Sequence, residues 1–255
     1  MASTTIPILF YSTVAGVATL LGILMMEKKQ QWAIEYSHYV NSFAAGLILS
    51  VAFFQLGPEA SELTEIDEAF FAVFLGFFVF YILENLLVLH SGAEMHYCVD
   101  DEGSHSNHLS QTGWMVFSGL AFHSLIDGIF IGVGFEVSSN VGLLAATAVI
   151  LHEVPEGVTS FAILRESMEL RQARLLAIIV AIATPLGAVL SVLFIGSLNE
   201  TTIGMILAIA AGTFIYVASA DLIPETHESE GKVVNLIAFL IGAILIYSLG
   251  IFLTD

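Results

Sequence analysis

Two short segments of this 255-residue sequence carry the residues best suited to chemistry. They are His123-Ser-Leu-Ile-Asp127-Gly128 and His152-Glu-Val-Pro-Glu156-Gly157, and both read His-x-x-x-acid-Gly. Residues four apart lie one above the other on a helix face. His123 can therefore converge with Asp127 on one ion, and His152 with Glu156. Imidazole plus carboxylate suits Zn2+ and neighbouring first-row divalent ions better than Mg2+ or Ca2+. Four mixed ligands for one divalent ion are the expectation. Ser124 and Glu153 sit one residue further round and can line an adjacent position.

The elements that hold these segments are apolar. Of all residues 57% are hydrophobic and 12% charged, and mean hydropathy is +0.89. That charged fraction is about half of a soluble domain's, and the apolar residues are gathered into long blocks. A helix crossing ~30 Å of hydrocarbon needs about 20 residues. Eight such stretches are predicted, at roughly 5–26, 38–56, 68–90, 111–135, 140–164, 172–196, 202–222 and 233–254. The fold class is thus an all-α membrane protein, a single transmembrane domain over 1–255. The first span lacks a basic region before it and an A-x-A site after it, so it reads as retained. The net charge of −18 excludes a basic nucleic-acid footprint, and a lone Cys98 excludes a disulfide scaffold within one chain.

The six basic residues fix the orientation. Lys28, Lys29, Arg165, Arg171, Arg174 and Lys232 all fall in odd-numbered connections, which share one side of an eight-span protein. The positive-inside rule makes that side cytoplasmic and both termini extracytoplasmic. The 24 acids then divide into eight outside, eleven on the cytoplasmic side, and five within spans: Glu84, Asp127, Glu153, Glu156 and Asp221. Ionisable groups in hydrocarbon cost about 2.5–3.5 kcal/mol each on insertion scales. No Lys or Arg lies in any span, so the missing counter-charge is a metal ion, a proton or both. Hydrogen bonding across helices is the simpler account of one His–acid pair. Two matched pairs with three acids and no base favour the metal.

The sequence also repeats itself. Residues 44–60 (AAGLILSVAFFQLGPEA) align without gaps on 210–226 (AAGTFIYVASADLIPET), with eight identities in seventeen positions. In the topology above, spans two and seven run in opposite directions, as do the spans carrying the two His motifs. Inverted repeats of this kind are a building plan of secondary transporters. Gln55 and Asp221 occupy equivalent positions, four residues before Glu59 and Glu225. Glu59 falls near the outer surface and Glu225 near the inner one. Pro-Glu also reads as a plain helix stop. Pro155 removes a backbone donor in span five and is expected to kink it, and Gly128 and Gly157 are expected to let spans four and five approach closely. The polar stretch 91–110 carries His96, Cys98, Asp100, Asp101, Glu102, His105 and His108, with His90 just before it. It reads either as a cytoplasmic metal-receiving or sensing loop or as a solvated linker.

With HSLIDG, HEVPEG and the two Pro-Glu span ends in view, the sequence resembles the ZIP (Zrt/Irt-like protein) family of divalent metal transporters along essentially its whole length. The resemblance implies eight helices in a 3+2+3 arrangement, with inverted halves at about 1–90 and 172–255 around the helices of 111–164. It implies zinc uptake toward the cytoplasm across the cell membrane, with Fe2+, Mn2+ and Cd2+ as other candidate ions, no organic cofactor, and a homodimer. By motif, His123, Asp127, His152 and Glu156 match a primary transport site. Ser124, Glu153, Asp127 and Glu156 match an adjacent second site, and Glu59, Gln55, Asp221 and Glu225 entrance and exit ligands. Two departures weaken the second site: Ser124 stands where many relatives have Asn, and Thr184 where some carry Glu. The rival of a different class is an intramembrane metal-dependent hydrolase, since His152-Glu153 opens an H-E-x-x-H pattern. Glu156 replaces its second His, and an enzyme has no need of two-sided symmetry. A proton-coupled carrier of an organic substrate would show carboxylates without matched histidines.

Overall fold

The computed structural model describes residues 2–87, 105–227 and 231–254. These residues form ten α-helices: α1 (Ala2–Lys28), α2 (Gln30–Val51), α3 (Gly57–Leu63), α4 (Ile66–Leu87), α5 (His105–Val137), α6 (Ser139–Ser167), α7 (Leu170–Phe194), α8 (Glu200–Val217), α9 (Ile223–His227) and α10 (Lys232–Thr254). A π turn at Ala52–Leu56 joins α2 to α3, and another at Ala218–Leu222 joins α8 to α9. Joined so, the helices give eight segments long and apolar enough to cross a membrane. Large apolar side chains stand exposed along the outer helices, among them Phe70, Phe71 and Phe74 on α4 and Ile241 and Ile244 on α10. A patch of that size is stable only against lipid. The chain is a multi-pass helical membrane protein.

The eight expected spans are all present, but several ends differ. The second begins at Gln30 rather than 38, with only Lys29 between it and α1. The fifth α-helix begins at His105, so residues 105–110 of the polar stretch are helical. The Pro-Glu pairs do not stop their spans. A proline ring clashes with the carbonyl four residues back, and widening the preceding turn to π geometry relieves that clash. The Gly57 N–H accordingly bonds the Ala52 carbonyl, the Ile223 N–H bonds the Ala218 carbonyl, and helix resumes beyond each proline. The two π turns fall at the same register of the 44–60 and 210–226 repeat. Pro155 is likewise carried inside an unbroken α6. Two other starts are capped: Ser138 accepts from the Val141 N–H at 3.2 Å, and Asn199 from the Thr202 N–H at 2.8 Å.

The most extensive helix contacts are α1 with α6, α5 with α7, α2 with α10, α5 with α6, and α4 with α8. All but the α5–α6 contact are pairs closed by two glycines that each meet the other helix's backbone. A Cβ on Gly22 would strike the Val154 carbonyl and one on Gly157 the Thr19 carbonyl; Gly128 and Gly187 stand likewise to Thr184 and Leu125. Gly46 with Gly242, and Gly76 with Gly212, repeat the device in the other two pairs. Small residues drive such packing where no hydrophobic effect separates helix from lipid. This corrects the expected role of Gly128 and Gly157, which pack α5 on α7 and α6 on α1. The antiparallel approach of α5 to α6 is made at Gly134 and Gly142, where a Cβ on the former would lie 3.1 Å from the latter's Cα. Glycine marks a close contact in sequence, but not the helix that supplies it.

The pairs join into two groups, α1, α5, α6 and α7 against α2, α4, α8 and α10. All six basic residues lie where helices meet at one end of the bundle, called here the basic end. Toward the opposite end, one apolar core spans both groups, with Leu47, Ile48, Ile131, Leu144, Leu207 and Phe214 essentially fully buried. At the basic end, the core of Ile23, Met26, Phe161, Leu164 and Leu176 belongs almost wholly to the first group.

Candidate metal centre

The site lies midway along α5 and α6. Helical periodicity puts His123 above Asp127 on α5 and His152 above Glu156 on α6. Because these helices are antiparallel, His152 meets Asp127 at one level, and His123 meets Glu156 one turn nearer the basic end. His152 Nε2 lies 2.8 Å from Asp127 Oδ2 and 3.8 Å from Glu156 Oε2. His123 Nε2 lies 3.5 Å from Asp127 Oδ2 and 3.7 Å from Glu156 Oε2. Each residue offers one ligand atom, and the four atoms lie within 4.8 Å of one another.

The donor set fits a cation. Asp127 Oδ2, His152 Nε2 and Glu156 Oε2 are buried with no hydrogen-bond partner outside this cluster. Such atoms are costly in an apolar interior unless a ligand satisfies them. His152 Nδ1 sits 3.1 Å from the Ala148 carbonyl. A carbonyl only accepts, so Nδ1 carries a hydrogen, and Nε2 is the ring atom aimed into the cluster. Ser124 donates at 2.8 Å to Glu156 Oε1, which fixes that carboxylate with Oε2 turned inward.

Access to the cluster is graded. Asp127 and His152 side chains are 1% and 4% exposed, whereas Glu156 and His123 reach 8% and 14%. Phe214 of α8 packs 6.4 Å from the His152 ring and edge-on to Phe130, while Phe80 of α4 stands edge-on to His123 at 5.8 Å. The more exposed pair is the one nearer the basic end. There, too, a cavity of about 470 Å3 opens between α2, α9 and α10, lined by Ser42, Thr226, Lys232, Asn235 and Phe239.

Glu153 is fully buried, and its two carboxylate oxygens are engaged elsewhere. Thr184 of α7 donates to Oε1 at 2.6 Å, and Thr19 of α1 donates to Oε2. Sequence reasoning missed Thr19. The signal was there: Val17-Ala-Thr19-Leu-Leu-Gly22 matches Ile182-Ala-Thr184-Pro-Leu-Gly187 in four of six positions. Phe80 and Phe214, held against the histidines, leave no comparable signature in a chain with 19 phenylalanines.

The other candidate residues stand apart from the cluster. Gln55 and Asp221, both half-buried, occupy the two π turns. The Gln55 amide lies against Gly250 on α10, where a Cβ would displace it. Glu59 is partly exposed in the first turn of α3, and Glu225 lies on α9 with its side chain outside the described residues. His90, His96, Cys98, Asp100, Asp101 and Glu102 also fall outside the described residues, as do the side chains of Glu84, His105 and His108.

Fold and site together define a helical membrane protein with a buried two-histidine, two-carboxylate cluster between antiparallel helices. A model of the ZIP zinc transporter family matches residues 90–250, and the chain belongs to that family. It is 37% identical over 120 residues to the human (Homo sapiens) zinc transporter ZIP6, a stretch covering 47% of this chain and 16% of that protein. It is 30% identical over 125 residues to zinc transporter ZIP10 of Danio rerio, covering 49% and 15%. To zinc transporter SLC39A7 of Mus musculus it is 30% identical over 147 residues, covering 55% and 31%. The chain thus spans less than a third of the length of these relatives. A hydrolase finds no support among them, since each is named as a zinc transporter.

Proposed function

We propose that the protein carries a divalent transition-metal ion, Zn2+ foremost, across the membrane toward the cytoplasm. The convergence of His123, Asp127, His152 and Glu156, three of them with buried ligand atoms that bond to nothing outside the cluster, is the observation that supports this most directly. The zinc transport named for its relatives supports the choice of ion. In this reading the four side chains replace the water around the ion. Asp127 and Glu156 supply the negative charge that offsets its desolvation, and the Ala148 carbonyl and Ser124 hydroxyl orient His152 and Glu156.

The basic end faces the cytoplasm by the positive-inside rule, with both termini extracytoplasmic and the protein in the cell membrane. The inverted halves at about 1–90 and 172–255 are supported by the matched π turns and by the exchange that relates the helix pairs: α1 with α6 answers α7 with α5, and α2 with α10 answers α8 with α4. All four ligands sit on one helix group, so movement of that group past the other would change the face the site opens to without rebuilding it. The arrangement described, sealed away from the basic end and partly open toward it, is the releasing one. Gln55, Asp221, Glu59 and Glu225 belong in this account to the approaches.

Purified protein in liposomes holding a zinc-sensitive dye tests the reading. Zinc entry is expected, and His123→Ala and Glu156→Ala are each expected to abolish it. No entry, or entry indifferent to both substitutions, sinks the proposal.

A further inference from the structure

The Glu153 carboxylate is the most enclosed acid of the centre, and its surroundings are built from three helices. Thr19 reaches it from α1 and Thr184 from α7, one to each oxygen. Both threonines are fully buried, as is Glu153. Each also sets its carbonyl against a glycine of the helix it pairs with, Thr19 against Gly157 and Thr184 against Gly128. The hydroxyls are thus held where two backbones cannot separate without losing the glycine contact. Thr19 Oγ1 has a second, longer contact to the Ala15 carbonyl at 3.2 Å. Its single proton goes to the shorter one, on Glu153.

A second ion beside the first would need oxygens from Ser124, Glu153, Asp127 and Glu156. Glu153 is not among the side chains whose ligand atoms converge, and its two oxygens are turned to Thr184 and Thr19 instead. Ser124 Oγ donates to Glu156 Oε1. To reach a second ion Glu153 would have to turn away from α1 and α7, leaving the buried Thr184 hydroxyl without this acceptor and Thr19 with only its longer contact to the Ala15 carbonyl.

Resting on the metal-site reading above, we infer that the centre holds one ion, and that Glu153 is a positioning residue which, through Thr19 and Thr184, fastens α1 and α7 to the helix bearing His152 and Glu156. It is not a ligand. The clamp closes where α6 carries its two ligands on either side, at His152 and Glu156, so it sets the height and rotation of both against α5.

Detergent-purified full chain, loaded with Co2+ or Zn2+ and equilibrated by dialysis, tests this. The ions of the centre are those lost in Asp127→Ala/Glu156→Ala, which discounts ions held elsewhere on an acidic surface. One equivalent is expected for the wild type. Glu153→Gln should keep that equivalent and leave the visible Co2+ bands unmoved. Thr19→Val/Thr184→Val should keep it as well while weakening affinity about tenfold, the scale of a lost outer-shell partner. The serine pair at the same positions should restore it. Two equivalents in the wild type, or loss of one or of the Co2+ bands in a folded Glu153→Gln protein, overturns the inference. Serine variants as weak as the valine ones overturn the clamp. A wild type with no equivalent in the centre overturns the metal-site reading itself, and this inference with it, which two equivalents would not do.

Discussion

His152 and Asp127, on different helices, bring Nε2 and Oδ2 to 2.8 Å, closer than either residue comes to the partner four positions away on its own helix. The cluster is therefore knit across α5 and α6 rather than built from two separate i, i+4 pairs. Both histidines share Asp127 Oδ2 and Glu156 Oε2, and Asp127 Oδ2 is the nearer of the two to each.

Asp127→Asn should accordingly be the most damaging conservative change in the cluster. It keeps the shape, removes the charge, and leaves two imidazoles facing a group that can donate. We expect zinc affinity to fall by at least about 100-fold. His123→Ala, at the most exposed corner, should cost less. Competition with a fluorescent zinc chelator measures both, and equal losses would contradict the shared-atom geometry.

Gly128→Ala and Gly157→Ala test the packing independently of any ion. Each new Cβ would collide with a threonine carbonyl on the neighbouring helix. Overpacking of this kind costs about 1–3 kcal/mol, read as a lowered midpoint in thermal or denaturant unfolding in detergent. Gly57→Ala is the control, because its Cβ meets only its own turn's Ala52 carbonyl at 3.1 Å.

Phe214→Ala should open the sealed side. The ring is 1% exposed, stacked edge-on against Phe130 and beside His152. Truncation of a buried Phe costs about 3–5 kcal/mol, and the void would adjoin the least exposed part of the cluster. A lower melting midpoint is expected together with zinc leakage in the outward direction from loaded vesicles. Leakage equal to that of the wild type would place the seal elsewhere.

Orientation has a reporter already present in Cys98, the chain's single cysteine. Membrane-impermeant maleimide should label it only from the cytoplasmic face. In a Cys98→Ser background, Glu200→Cys should label only from the other. Labelling of both from one face would refute the eight-span topology.

Much of this was legible in the sequence because the governing physics is local. Span number follows from apolar length against bilayer thickness, and the pairing of His123 with Asp127 follows from the helical repeat. What lay beyond reach was relational. Periodicity within α5 and α6 does not give the rotation of one about the other, so the cross-helix contact of His152 with Asp127 could not be ranked above the pairs within a helix. Gly128 and Gly157 announced close contacts but not their partners. Thr19 looked like one more small polar residue in an apolar span, and Thr184 like a mere absence of Glu, until both met at Glu153. The prolines at 58 and 224 signalled an end to helix, whereas the tertiary structure absorbs each one in a wider turn.

Those two wide turns also change which way the chain beyond them faces. Each holds one residue more than an α-turn would, and each sits at the same point of the segments 44–60 and 210–226, in front of the same Pro-Glu. One extra residue offsets everything beyond it by about 100° around the helix axis. The positions of Glu59 and Glu225 therefore fall on a different side of their helices from the one an unbroken α-helical count assigns them.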